Sequence, residues 1–335
     1  MSFVQDGIRF FNVASLERRP ESTSILLPRI PAKTREALSS RGSFIGMNGV
    51  GVELQFKTEA PNFKVYWSAV DGDLELTVYC GALEHSFHTV TNGQSVALNL
   101  GAVEELKTID KLHLNGAYDS AVWRIVVNRG NAYFGGIDTL GYEIQSPAEN
   151  ELPLLTWLAY GSSITNSTSR GYPHQAARDL GVQVLNKGMS GSCMAEPEMS
   201  DYLASLDWDF ATCELGVNMR NEQLAPDFKR RVDYLLDALM VSHPGKPIGL
   251  ITVFPNIDHY VAGEPGTVQE RYSETLREIV QLRSGDGVFL IEGADMLRSF
   301  SDLHTDLLHP SDFGQVRMGV NLANILKHKM PGLLA

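Results

Sequence analysis

Short runs within the first 148 residues alternate between hydrophobic and polar positions with a period of two. Five short runs show this pattern: residues 52–57, 63–67, 74–80, 96–100 and 121–128. Such alternation places the apolar side chains on one face of a β-strand. Asp71 to Asp73 and the Asn92-Gly93 pair supply turns between runs. Many short strands without intervening helices predict an antiparallel β-sandwich of jelly-roll type, preceded by a short helix near residues 31–39.

After residue 148 the pattern changes to continuous apolar runs separated by helical segments. The runs cover residues 152–160, 182–185, 210–215, 248–254 and 288–291, and the helical segments cover residues 172–180, 227–242 and 268–282. Strand, helix and strand in succession predict a parallel sheet with helices on both faces. We therefore predict two domains: a β-sandwich over residues 1–148, and a three-layer α/β/α domain with a flavodoxin-like parallel sheet over residues 149–335.

Composition and charge exclude several classes of protein. The 335 residues are 43% hydrophobic and 20% charged, as in globular proteins, and the net charge of -12 disfavours nucleic acid and anionic membranes as partners. No run approaches the roughly 18 apolar residues of a membrane helix, and the first residues lack a secretory pattern, so we expect a cytoplasmic protein. Cys80, Cys193 and Cys213 are too scattered for a disulfide framework or a paired-cysteine metal site. We expect neither a metal nor an organic cofactor.

Candidate chemistry lies in the loops that follow the predicted parallel strands. These loops are residues 159–166 (Ala-Tyr-Gly-Ser-Ser-Ile-Thr-Asn), 186–192 (Asn-Lys-Gly-Met-Ser-Gly-Ser) and 216–219 (Gly-Val-Asn-Met), and Asp-Leu-Leu-His-Pro follows at 306–310. Open parallel sheets bind ligands at the carboxyl ends of their strands. Each loop is a weak signal alone because Gly and Asn are common in turns. Their order, each after its own strand or near the last helix, points to one site.

In this order the motifs resemble those of the SGNH, or GDSL-type, hydrolase superfamily, from about residue 152 to the C-terminus. That family has Gly-Asp-Ser after its first strand, a glycine in its second block, Gly-x-Asn in the third and Asp-x-x-His in the fifth. The resemblance implies Ser163 as nucleophile, with Asp306 and His309 completing a catalytic triad. It also implies an oxyanion hole formed by Ser163, Gly191 and Asn218.

The chain departs from the family pattern at two positions. Ser162 stands where the family has its aspartate, and Met219 stands where an aspartate often follows the asparagine. The family's first aspartate orders the turn and is not a triad member. The serine at position 162 therefore puts the geometry of the turn in doubt more than the catalytic chemistry.

The chemistry of the residues supports the same roles. Serine needs a neighbouring base to become a nucleophile, and histidine can take its proton and later return it to the leaving group. A carboxylate on the other ring nitrogen fixes the tautomer. Asp306 and His309 are three residues apart, so one helical turn would place both side chains on one face. Pro310 suits the first turn of a helix that begins about there.

Other nucleophiles and bases compete with this assignment. His304, two residues after Asp302, is the main rival base, but only His309 has the Asp-x-x-His-Pro frame. Three further roles are weighed: His259 as a residue lining the substrate pocket, Cys193 as a second nucleophile against a small buried residue, and His174, His85 and His88 as packing or structural residues.

The expected function is hydrolysis of a short-chain acyl ester, with acetyl as the expected acyl group, on a polar carrier such as a carbohydrate. The exposed members of Tyr66, Trp67, Tyr79 and Trp123 would stack on sugar rings. One alternative is an acyltransferase that uses the same triad and an acceptor alcohol. Another is a non-catalytic protein whose β-sandwich binds a glycan. The sequence leaves open the acyl group, the acceptor and a homo-oligomer.

Overall fold

The computed structural model describes residues 2–18, 23–110, 113–114, 116–220, 225–260, 268–283 and 285–334. The chain forms two compact units, Met1–Pro31 with Gly46–Leu154 and Ala32–Ile45 with Leu155–Ala335. The domain ranges 1–148 and 149–335 stay a prediction, from which the units differ chiefly in residues 32–45. That segment joins the second unit because its helix α1 (Ala32–Ala37) packs against α4 (Pro197–Ala204).

The first unit contains two antiparallel sheets. Its strands are β1 (Ser2–Gln5), β2 (Ile8–Phe11), β3 (Glu17–Arg18), β4 (Ile25–Leu26), β5 (Glu53–Phe56), β6 (Asn62–Ala69), β7 (Leu74–Cys80), β8 (Leu83–Val90), β9 (Ser95–Gly101), β10 (Trp123–Arg129) and β11 (Ala132–Asp138). The strand order is β1-β2-β5-β10-β7-β8 in the six-stranded sheet and β3-β4-β11-β6-β9 in the five-stranded sheet. Side chains from both sheets, among them Phe56, Trp67 and Trp123, share one hydrophobic core. This confirms the predicted antiparallel β-sandwich. It also removes Trp67 and Trp123 from any role in stacking on sugar rings.

The alternating pattern has different meanings in different strands of these sheets. In β6 the buried and exposed positions alternate along the strand, as the sequence predicts. In β5 all four residues are buried, including Glu53. The carboxylate of Glu53 lies 2.5 Å from the guanidinium Nε of Arg124 on β10, the neighbouring strand. Glu53 and Arg124 therefore form a largely buried ion pair between these central strands.

The second unit has a five-stranded parallel sheet in the order β13-β12-β14-β15-β16. Its strands are β12 (Thr156–Gly161), β13 (Gln183–Gly188), β14 (Phe210–Glu214), β15 (Ile248–Ile251) and β16 (Val288–Ile291). Counted from β12 this is the order 2-1-3-4-5, the flavodoxin-like arrangement. One group of packed helices is α3 (Tyr172–Leu180), α7 (Gly293–Met296) and α8 (Asp312–Lys329), and another is α4, α5 (Ala225–Ser242) and α6 (Val268–Leu282). The predicted α/β/α domain is confirmed.

Helix ends in this unit follow local sequence signals. Gly171 precedes α3 with Pro173 in the first turn, where a proline costs no hydrogen bond. Gly181 ends α3 in the left-handed region at φ 67°, which glycine adopts without strain. Ser311 caps α8, accepting a hydrogen bond from the Gly314 amide.

The hydrophobic pattern misses several elements. Strand β8 lies at a sheet edge and is mostly exposed, so it has too few buried side chains to show an alternating hydrophobic pattern. Strand β11 contains Gly135 and Gly136 and a register shift, which interrupt the alternation. The predicted helix at residues 31–39 is instead α1 followed by α2 (Ser40–Met47). Among the described residues, no helix combines the length and apolar character that crossing a bilayer requires.

Candidate active site

The turn that carries Ser163 follows directly from β12, and we call residues 162–166 the serine turn. Ser162 is fully buried, whereas Ser163 is half-buried. The Ser162 amide donates to Oε2 of Glu214 over 2.6 Å, and the Ser162 hydroxyl accepts from the Ile164 amide over 3.1 Å. The Asn166 amide donates to the Ser162 carbonyl over 2.9 Å and closes the turn. Hydrogen bonds to Ser162 therefore order the turn from its buried side.

Ser163, His309 and Asp306 form one chain of hydrogen bonds. Oγ of Ser163 lies 2.7 Å from Nε2 of His309, and Nδ1 of the same ring lies 2.8 Å from Oδ2 of Asp306. The partners assign the tautomer, because a carboxylate only accepts: Nδ1–H donates to Asp306, and the serine hydroxyl donates to Nε2. The side chains of His309 and Asp306 are 38% and 50% exposed, so solvent reaches the pair.

The loop holding Asp306 and His309 is not a helical turn, and that prediction is wrong. Leu307 between them has φ 57°, in the left-handed region. Oδ1 of Asp306 accepts from the amides of Leu308 and His309 at 3.0 Å and 2.9 Å. The aspartate side chain thus satisfies amides that a helix would pair with carbonyls. Helix α8 begins only afterwards, at Asp312.

These contacts keep Asp306 ionised. Partial burial on its own would raise the pKa of the carboxyl, but hydrogen bonds from the Leu308 and His309 amides and from the His309 ring outweigh it, and the pKa falls to about 2. The carboxylate is therefore charged at neutral pH. It can hold the proton on Nδ1 and stabilise an imidazolium when Nε2 accepts one.

Three hydrogen-bond donors follow adjacent strands at the carboxyl edge of the sheet: the amides of Ser163 and Gly191, and Nδ2 of Asn218. None has a partner within the described ranges. Oδ1 of Asn218 accepts from the Cys193 amide over 3.0 Å, which fixes the orientation of its side-chain amide. Gly191 has φ 69°, a conformation that is strained for other residues. Such donors can stabilise negative charge that develops on a carbonyl oxygen.

A polar rim formed by Arg41, Asn166 and Ser190 borders Gly191. Nδ2 of Asn166 donates to Oγ of Ser190 over 2.7 Å, and Nε of Arg41 donates to the Ser190 carbonyl over 3.0 Å. A Cβ atom added to Gly191 would lie 3.5 Å from Nε of Arg41. Arg41 is exposed and makes no ion pair with any residue that the structure describes. Its terminal nitrogens are available to a ligand.

Sequence reasoning missed Glu214, which lies under the serine turn at the end of β14. Its side chain is fully buried, and Oε2 also accepts from Oγ1 of Thr165 over 3.1 Å. Burial raises its pKa to about 7, although hydrogen bonds from Ser162 and Thr165 oppose the rise. The signal in the sequence is a glutamate inside a strand that is otherwise apolar or small and buried on both faces, because such a carboxyl needs specific partners.

The rival residues lie outside the hydrogen-bonded chain. The amide of His304 donates to the His309 carbonyl over 2.8 Å, so this rival supports the loop through its backbone. His259 bonds locally, its Nδ1 accepting from the Asn256 amide. Cys193 is buried, which raises its pKa and disfavours a thiolate nucleophile. His174 lies on α3, and His85 and His88 share a hydrogen bond each with Ser86 on β8.

Comparison with known proteins places the chain by both sequence and fold. A profile of the GDSL-like Lipase/Acylhydrolase family matches residues 156–327, just over half of the chain. A search of curated protein sequences found no match.

Solved structures resemble this chain over most of its length. The salicylyl-acyltransferase SsfX3 from a tetracycline biosynthetic pathway has a TM-score of 0.77 at 16% identity, covering 99% of this chain and 96% of that one. A carbohydrate esterase family 2 enzyme from Corynascus thermopiles has a TM-score of 0.65 at 13% identity, covering 91% and 99%. An acetyl xylan esterase from Butyrivibrio proteoclasticus has a TM-score of 0.58 at 12% identity, covering 98% and 96%. At such identities the likeness concerns the fold, whereas the profile match rests on this chain's own sequence. The chain belongs to the GDSL-like lipase/acylhydrolase family, within the SGNH superfamily of ester hydrolases.

Proposed function

We propose that the protein is a serine esterase in which Ser163 is the nucleophile, His309 the general base and acid, and Asp306 the residue that orients and stabilises the imidazole. The observation that carries the proposal is the pair of short contacts, 2.7 Å from Ser163 to His309 and 2.8 Å from His309 to Asp306. Nucleophile, base and orienting carboxylate within hydrogen-bond reach are the geometric signature of an activated serine.

The proposed reaction proceeds in two halves. Oγ of Ser163 attacks the ester carbonyl carbon while its proton passes to Nε2 of His309, and the carbonyl oxygen takes the displaced electron pair. The tetrahedral intermediate collapses, the bond to the alcohol oxygen breaks, and His309 returns the proton to that oxygen. Water then attacks the acyl-enzyme with the same ring as base, which releases the acid and restores Ser163.

The three unpartnered donors support stabilisation of the intermediate. We assign the amides of Ser163 and Gly191 and Nδ2 of Asn218 to the oxyanion hole. Loss of one such donor typically costs about 3 to 4 kcal/mol of transition-state stabilisation. The hydrogen bond from Cys193 to Oδ1 of Asn218 supports this role, because it leaves Nδ2 as the free end of the amide.

We further propose that the substrate is a short-chain acyl ester, with acetyl first, on a polar carrier such as a carbohydrate. The polar rim supports this, since Arg41 can donate hydrogen bonds to hydroxyl or carboxylate oxygens of a carrier. The carbohydrate esterase and the acetyl xylan esterase that share the fold point the same way. Transfer of the acyl group to an acceptor alcohol is the second candidate, favoured by the likeness to the salicylyl-acyltransferase over 99% of the chain.

Hydrolysis of p-nitrophenyl acetate at neutral pH tests the proposal. We expect the wild type to turn over and both Ser163→Ala and His309→Ala to lose several orders of magnitude in kcat. Ser167→Ala and His304→Ala are matched controls, a serine and a histidine near the same loops, and should stay close to wild type.

Labelling with a fluorophosphonate probe separates the alternatives. An active serine hydrolase reacts at Ser163 even when the test ester is a poor substrate, and Ser163→Ala does not. A folded wild type that is not labelled would contradict the proposal and favour a non-catalytic glycan-binding protein.

A further inference from the structure

The serine turn rests on the carboxyl group of Glu214. Oε2 accepts from the Ser162 amide at 2.6 Å and from the Thr165 hydroxyl at 3.1 Å, so one oxygen joins the two ends of the turn. A Cβ atom added to Gly161 would lie 2.7 Å from the same oxygen. The absence of a side chain at Gly161 therefore lets the carboxyl group lie directly under the backbone of the turn.

A hydrogen-bonded network extends from this carboxyl group to two helices. Oγ1 of Thr165 lies 2.7 Å from the hydroxyl of Tyr172 on α3. The Tyr172 amide donates to Oε1 of Gln315 on α8 over 2.8 Å, and Nε2 of Gln315 donates back to the Ile164 carbonyl over 3.3 Å. The serine turn is thus fixed on its buried side by β14, α3 and α8, and its free side carries Ser163.

Within the part of the chain that the structure describes, Glu214 forms no ion pair with a cationic side chain. Oε1 has no hydrogen-bond partner among the described residues. Among the described residues, the titratable groups that interact with it are Tyr172 and Cys193, and proximity to Glu214 contributes to the raised pKa of both. A buried carboxyl group with one unpaired oxygen and neighbours that disfavour its charge is destabilising, so its presence under the serine turn points to a role other than stability.

We propose that Glu214 is a positioning residue for the esterase reaction, acting through Ser162 and Thr165 to hold Ser163 Oγ against Nε2 of His309. It touches neither the substrate nor the reacting atoms. The inference rests on the proposed function, because it assumes that Ser163 is the nucleophile. A misplacement of about 1 Å at a reacting group can cost about 100-fold in rate, so a support of this kind affects kcat more than substrate binding.

Comparison of Glu214→Ala with Glu214→Gln tests the proposal. Glutamine keeps the size and an acceptor oxygen for the Ser162 amide, whereas alanine removes both. We expect Glu214→Ala to lower kcat by about 100-fold with KM changed less than about twofold, and Glu214→Gln to stay within about fivefold of wild type. The rate of fluorophosphonate labelling is measured as a second readout. Only folded protein labels, so dividing the rate by the final extent of labelling gives the rate for folded molecules alone.

Thr165 provides a second pair of variants if Glu214→Ala does not fold. Thr165→Val removes the hydroxyl that donates to Glu214, and Thr165→Ser keeps it. We expect slower labelling in Thr165→Val and rescue in Thr165→Ser.

The outcomes distinguish this inference from the proposed function. Labelling of folded Glu214→Ala at the wild-type rate, or equal losses in the alanine and glutamine variants, would overturn the positioning role while wild-type labelling at Ser163 persists. A wild type that does not label at Ser163 would instead overturn the proposed function.

Discussion

Asp306 and His309 contribute differently to the reaction, and the difference can be measured. His309 moves the proton, whereas Asp306 orders the loop through the Leu308 and His309 amides and orients the ring. We expect His309→Ala to lower kcat by about 10⁵-fold or more. The loss in kcat for Asp306→Ala should be about 10 to 100 times smaller than the loss for His309→Ala. Steady-state kinetics on p-nitrophenyl acetate provide the test. Equal losses in kcat would contradict the supporting role of Asp306.

Glu214 makes stability depend on pH. Burial raises its pKa to about 7, against an ordinary value of 4.5, so between these values the folded state holds a proton that the unfolded chain releases. Its contribution to stability is therefore full below about pH 4.5 and is lost as the pH rises to about 7.

Replacement of Glu214 by glutamine should remove this dependence. We expect the free energy of unfolding of Glu214→Gln, relative to wild type, to improve progressively from about pH 5 to about pH 7 and then to level off. Urea denaturation across that range measures it. A difference between the two proteins that stays constant with pH would show that Glu214 ionises normally.

Replacement of Arg41 tests the proposal that the substrate has a polar carrier. Its Nε donates to the Ser190 carbonyl, and a terminal nitrogen would lie 3.9 Å from a Cβ atom added to Gly191, so the guanidinium borders the proposed oxyanion hole. Because a hydrogen bond from a charged donor contributes about 1.5 to 3 kcal/mol, we expect Arg41→Gln to raise KM for acetylated saccharides about tenfold or more. KM for p-nitrophenyl acetate should change less than twofold. The exposed Arg178 on α3 offers a control in Arg178→Gln, and equal effects of both variants would remove Arg41 from the site.

At the level of elements, helix α3 and the loop before α8 show what a sequence can and cannot reveal. The bounds of α3 were predictable because Gly171, Pro173 and Gly181 specify its ends locally. The Asp306-to-His309 spacing also fits a helical turn, but the conformation depends on Leu307 adopting a positive φ. The spacing predicted that the two side chains meet, as they do at 2.8 Å, but it predicted the wrong backbone, because a side chain that replaces helical hydrogen bonds leaves no periodic signal.

The contact between β13 and the serine turn depends on Gly188. A Cβ atom at this position would lie 2.3 Å from the Asn166 amide nitrogen, which is backbone and cannot rotate away. We expect Gly188→Ala to destabilise the protein by about 1 to 3 kcal/mol and to slow fluorophosphonate labelling, because the turn must shift. Denaturant unfolding and labelling measure the two effects. Gly332→Ala, where no atom lies within 4 Å of the added Cβ, is the matched control. Wild-type behaviour of both variants would show that the turn is freer than the structure indicates.

At the scale of the whole molecule, the change of pattern near residue 148 predicted a sandwich followed by a parallel α/β sheet. This change of pattern could not predict that residues 32–45 belong to the second unit. That segment is assigned by contacts of α1 with α4 and of Arg41 with Ser190, which join residues far apart in the chain. Hydrophobic periodicity records local burial and does not identify the partner that covers a helix. Glu214 escaped detection for the same reason, since its partners Ser162 and Thr165 lie about 50 residues away in sequence.

Hydrolysis and acyl transfer use the same acyl-enzyme and differ in what resolves it. A hydrolase has no site for an acceptor, so an added alcohol competes with water by collision alone. We therefore expect the ratio of transferred to hydrolysed acetyl to rise linearly with alcohol concentration, without saturation. Product analysis with p-nitrophenyl acetate and increasing acceptor alcohol measures that ratio, and Ser163→Ala corrects for uncatalysed transfer. Saturation at low acceptor concentration would require a bound acceptor next to Ser163, and would assign the protein to the acyltransferases.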